Sequence, residues 1–140
     1  MVSRLDIVCT CKCRTCSGRM GEISKMSVRV TKSGTQQQKR IATAVGEWCI
    51  KHFGLYNAEV TFTLMKKIDC WGECGEGRFP NTYRISVATD QSVRDFVATI
   101  VHEMIHVKQW ETGRWRGDGE KEAIRLQYKL TDKLWKGGII

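Results

Sequence analysis

The 140-residue chain is 41% hydrophobic and 27% charged, ordinary for one soluble globular domain with a core of its own. No apolar run approaches the roughly 18 residues of a membrane span, and Arg4, Asp6 and Lys12 interrupt any apolar export signal, so no membrane role is expected and a cytoplasmic location is. The net charge of +8 allows nucleic acid as a partner, but the basic residues are scattered and read as a solvated surface.

Residues 1–26 stand apart. Cys9, Cys11, Cys13 and Cys16 crowd into CTCKCRTC without helical or strand periodicity, and Met20 and Met26 are alternative starts. The stretch reads as a cysteine-rich leader ahead of a domain over 27–140. Seven cysteines in a reducing compartment are thiols or metal ligands. The Cys13-x-x-Cys16 knuckle with Cys70 and Cys74 is a candidate second, structural zinc site.

After a short strand at Val28–Val30, SGTQQQ reads as a polar linker. Gln38 to Phe53 follows as an amphipathic helix, with Ile41, Val45, Trp48, Cys49 and His52 on one face and Gly54 as its cap. Glu59 to Lys66 alternates as a half-buried strand, and Thr82 to Ala88 does so again, expected to lie antiparallel to a neighbour. Between them, DCWGECGEGRFPN carries glycines and the only proline and reads as a loop. Ser92 starts a helix that runs to about Thr112 and ends at Gly113. Gly113 to Gly119 is a turn, and Asp118 caps a last helix, Glu120 to about Lys136. The expected class is α+β: a small antiparallel sheet packed with these three helices.

The chemistry concentrates in VHEMIHVKQW. His102, Glu103 and His106 form H-E-x-x-H, and two of the chain's three histidines fall at this spacing. Residues four apart on a helix share a face, so both imidazoles can grip one zinc while Glu103 addresses the activated water. Val93, Phe96, Val97, Ile100, Val101, Met104, Ile105 and Val107 cover more than half of the helix, which leaves the motif in a narrow polar arc.

A catalytic zinc takes three protein ligands. No histidine follows His106, and Glu120 and Glu122 open the next helix. On a helical wheel Glu120 shares a face with Ala123, Ile124, Tyr128, Leu130, Leu134 and Trp135, where an unpaired carboxylate is costly, while Glu122 falls on a solvated face. Glu120 is therefore the preferred third ligand.

HExxH on one helix and Glu120-Lys121-Glu122-Ala123 on the next resembles the gluzincin metallopeptidases, although Ile124 stands where several such families have Asp. The stretch TYRISVATDQSVRDFVATIVHEMIHVKQ is similar to small HExxH proteins carried by bacteriophages and, more loosely, to SprT-like domains, which usually use a third histidine. The resemblance covers roughly Val60 to Trp135. It implies a minimal zincin fold and a zinc metallopeptidase acting on peptide or protein with Glu103 as general base, located in the host cytoplasm if phage-encoded. It also implies that the strand Thr82 to Ala88 borders the cleft, where an extended peptide could pair with it. Tyr83, Arg84 and Tyr128 are candidate oxyanion stabilisers. Two alternatives stand beside this reading: a DNA-associated protease module of the SprT-like kind, and a non-catalytic zinc-binding domain, against which the intact Glu103 argues.

Overall fold

A computed structural model of the chain describes residues 27–31, 33–66 and 70–140. The cysteine-rich leader, Cys13 and Cys16 included, lies outside the described residues. The elements are β1 (Val28–Val30), α1 (Gln36–Phe53), β2 (Glu59–Met65), β3 (Gly72–Glu76), β4 (Thr82–Ala88), α2 (Val93–Thr112) and α3 (Glu120–Lys136). The class is α+β. Among the described residues no helix is long and apolar enough to cross a membrane.

The sheet differs from expectation in two ways. Its order is β1-β2-β4-β3; the first three strands run parallel, and only β3 is antiparallel, to β4. The sheet is therefore mixed. β4 is inserted between β2 and β3 and has partners on both sides. The second difference is β3 itself, which forms within the glycine-rich stretch expected as a loop.

Alternation drives the layering. Val60, Phe62 and Leu64 lie opposite Tyr83, Ile85 and Val87 in register, and all six are buried on the helix-facing side. Thr61, Thr63, Arg84 and Ser86 point to the other face and are at least partly exposed. α1 and α2 pack on the buried face through Val45, Cys49, Ile100 and Met104, and α3 docks on α2 through Ala123, Leu130 and Leu134.

The ends of the helices follow local chemistry. The supposed linker supplies the start of α1: Thr35 and Gln38 form a reciprocal capping box, and Gly54 closes the helix in the left-handed region. At α2 the Ser92 hydroxyl accepts from the Asp95 N–H at 3.1 Å, and Gly113 ends the helix. Asp118 accepts from the Glu120 N–H at 3.0 Å, as its position ahead of α3 suggests.

The face of α3 is turned from the predicted one. Ala123, Leu130, Thr131 and Leu134 are buried, whereas Ile124, Tyr128 and Trp135 are exposed. The inward direction is rotated by about 50° on the wheel. Thr131 fits inside because its hydroxyl donates to the Gln127 carbonyl at 2.7 Å, and Gln127 is itself held by α2.

Candidate metal centre

α2 is buried on most sides, and its motif straddles two neighbours. Residues 102 and 106 share a face, and residue 103 lies about 100° around the helix. His102 and His106 thus face α3, with ring centroids 5.0 Å apart, while Glu103 faces β3. The contact with β3 requires glycine at position 72: a Cβ there would stand 2.5 Å from Thr99 Cγ2 and 3.3 Å from Glu103 Oε2.

Glu120, first residue of α3, reaches both rings. Its Oε1 lies 3.1 Å from His102 Nε2 and its Oε2 lies 2.8 Å from His106 Nε2. Donor atoms from the three residues all lie within 4.8 Å of one another, so the group could hold a metal ion. The histidines are largely buried, at 15% and 13% exposure, and the carboxylate is at the mouth, at 47%.

Two glutamines set the tautomers. Gln127 Oε1 lies 2.6 Å from His102 Nδ1, and Gln109 Oε1 lies 2.8 Å from His106 Nδ1. An amide oxygen only accepts, so each Nδ1 carries hydrogen. The orientation of Gln109 is itself fixed: its Nε2 donates to the Gly119 carbonyl and to Glu122 Oε1, each at 2.9 Å. A flipped amide would face two acceptors with its oxygen. Gly119 must be glycine on two counts, a φ of 81° and a Gln109 oxygen 2.1 Å from where a Cβ would be.

With Nδ1 protonated, a neutral ring presents a lone pair at Nε2. Two lone pairs then converge on one carboxylate. Three Lewis bases aimed at each other repel unless a cation stands among them or both rings are protonated. Two imidazolium rings 5.0 Å apart would repel each other in turn. A metal ion held among the three would remove the repulsion, and a His-His-Glu donor set fits one.

Glu122 is not on a solvated face, contrary to the wheel. It bridges from α3 to α2, accepting from Lys108 Nζ at 2.8 Å and from Gln109, and these bonds hold its carboxyl below the usual range. It stands behind the histidines and not among them. Glu103 is 6% exposed, and among the described residues no hydrogen bond is made to its carboxylate. Burial raises its proton affinity, the two histidines oppose that shift, and Glu120 and Glu73 add to it.

The remaining candidates scatter. Tyr83 is buried, stacked on Trp110 with centroids 5.7 Å apart, and its hydroxyl bonds to Glu111; burial and that bond keep it protonated. Arg84 projects from the opposite face of the sheet. Tyr128 lines the cleft beside the motif, its hydroxyl donating to Asp95 Oδ1 at 2.7 Å. Cys70 is exposed, with its thiol 3.2 Å from the Gly72 carbonyl. Cys74 packs against the core, and burial first, then Glu103, pushes its thiol well up. His52 is exposed and stacked on Trp48, away from the cluster.

Gln109 and Gln127 were missed from sequence. A signal existed for the first: Gln109 is three residues after His106, within side-chain reach on a helix. Comparison with family models, with curated proteins and with solved structures finds no match to this chain.

Proposed function

We propose that the chain is a zinc-dependent hydrolase of peptide bonds, in which His102, His106 and Glu120 hold the metal and Glu103 is the general base. The observation that carries the reading is the convergence of two oriented Nε2 lone pairs and one carboxylate beside a cleft that Glu103 also lines. A zinc ion held there supplies a Lewis acid that acidifies water and polarises a carbonyl.

The chain's own residues do the rest. Gln127 and Gln109 keep both Nε2 atoms unprotonated and aimed. Glu103, buried and with raised proton affinity, takes a proton from the attacking water as the new C–O bond forms. It returns that proton to the amide nitrogen as the C–N bond breaks, so one water is consumed and a carboxylic acid and an amine leave, ionised in water as carboxylate and ammonium. A peptide seeking a strand partner cannot use β4, which is paired on both edges. The outer edge of β3 is the one beside Glu103.

The test is Glu103→Gln. The variant should retain zinc while cleavage of an unstructured protein falls by roughly 10²-fold or more. Equal cleavage by variant and parent would remove Glu103 from the role, and a zinc-loaded parent that cuts nothing would remove the hydrolase reading.

A further inference from the structure

The cleft that Glu103 lines has a volume of about 430 Å³ and extends well past the groups the hydrolytic chemistry uses. It runs back along α2 from His102 and Glu103, past Thr99, to Asp95. Seven residues of helix separate its two ends, about 10 Å. Trp71 walls it on the sheet side and Tyr128 on the α3 side.

These walls are held in place. The Trp71 carbonyl accepts from the Ala88 N–H at 2.9 Å and from Gln91 Nε2 at 3.4 Å, and Gln91 Oε1 in turn accepts from the Thr99 hydroxyl at 3.1 Å. Tyr128 is fixed by its bond to Asp95 and by the Arg94 guanidinium on its ring, 5.1 Å from the centroid. Arg94 itself is engaged by Asp132 at 2.7 Å and does not line the cleft. Yet both aromatic side chains keep much of their surface in solvent, 62% for Trp71 and 39% for Tyr128. Aromatic surface on anchored backbone, facing a cleft, is contact area ready for a ligand.

The charge of the cleft runs against that of the molecule. The chain carries 23 Lys and Arg against 15 Asp and Glu, but the described residues lining the cleft include two carboxylates, Asp95 and Glu103, and no Lys or Arg. Two aromatic walls with a carboxylate at the far end match a cation on an apolar stem: the stem lies against the rings and the head meets the acid.

We infer that this cleft takes the side chain of an arginine or lysine next to the scissile bond, so that the substrates are basic peptides. The inference rests on the hydrolase reading for the bond that is cut, while the cleft's preference can be measured without hydrolysis.

The experiment has two arms. In the first, zinc-loaded protein is given peptides that differ only at the residues flanking the scissile bond, with Arg, its neutral isostere citrulline, Leu or Asp there. In the second, binding of the Arg and citrulline peptides is measured on zinc-loaded Glu103→Gln protein. Arg should be favoured over citrulline by about tenfold in both arms, the effect of one desolvated cation–π and carboxylate contact. Asp95→Asn, which keeps an acceptor for Tyr128, and Trp71→Ala, a change at an exposed side chain, should each shrink that ratio severalfold. Cleavage with no Arg preference, or with a preference neither variant alters, overturns the cleft assignment and leaves the hydrolase standing. Preferential binding of the Arg peptide without cleavage by the parent does the reverse. Neither cleavage nor preferential binding overturns both.

Discussion

The two flanks of α2 are built on opposite plans. On the α3 flank the histidines are backed by bonded side chains: Gln127 on His102, Gln109 on His106, and Glu122 and the Gly119 carbonyl on Gln109. On the β3 flank Glu103 sits buried without a hydrogen bond among the described residues, against a bare glycine and an open cleft. The difference follows from what each flank is proposed to do. Ligands bind tightly when their direction is fixed beforehand. A base must gain and lose a proton, and a carboxylate locked by several donors would be too weak to do so.

Substitutions on the two flanks should therefore fail differently. The largest effect belongs to the cluster: His106→Ala and Glu120→Ala should each lose the metal, read as zinc per chain after dialysis. Retention of full zinc by both would dissolve the α3-flank plan. A smaller effect is expected one step behind. Gln127→Leu should bind zinc about 10–100-fold more weakly, the range for partners of ligating histidines, and Glu122→Ala, which removes a partner of Gln109, should weaken it by less, as measured by competition with a chelator. Glu122→Gln, which still accepts from Gln109, should recover most of that loss. If Glu122→Ala binds zinc as the parent does, the Gln109 relay has no function.

The smallest metal effect should come from the β3 flank. Gly72→Ala forces a Cβ against Thr99 and should destabilise the fold by about 1–3 kcal/mol in denaturant titration. Its zinc affinity should stay close to that of the parent, since the atoms nearest that Cβ belong to Thr99, Glu103 and Ser86 and not to a proposed ligand. A loss of zinc equal to that of Glu122→Ala would mean that the two flanks are coupled.

Much of this site was legible before any coordinates. HExxH carries its own geometry, because a four-residue spacing on a helix defines a face without reference to the rest of the fold. The choice of Glu120 came out of a wheel whose setting was off. Ile124, Tyr128 and Trp135 pulled the predicted face towards themselves, yet all three are exposed, and Tyr128 lines the cleft. Glu120 kept its expected neighbours because the rotated face still contains its direction. Glu122 did not, since its partners Lys108 and Gln109 come from another helix, and no wheel for α3 contains them.

The sheet was legible in its core and hidden at its rim. β2 and β4 alternate because one face of each is buried. β3 has two glycines in five residues, which lowers intrinsic strand propensity, and it exists because β4 offers a ladder and α2 demands a residue without a side chain. Strand direction was legible only in part: β4 is antiparallel to β3 as expected but parallel to β2, and both kinds of neighbour impose the same alternation.

Glu120, and not Glu122, is the α3 residue proposed to join a metal held by α2. The most direct test is an anomalous difference map at the zinc edge from crystals grown with zinc. One strong peak is expected, bounded by His102 Nε2, His106 Nε2 and the Glu120 carboxylate, with Gln127 and Gln109 still on the two Nδ1 atoms. No peak there, or a peak ligated by Glu122 with Glu120 turned to solvent, would contradict that assignment.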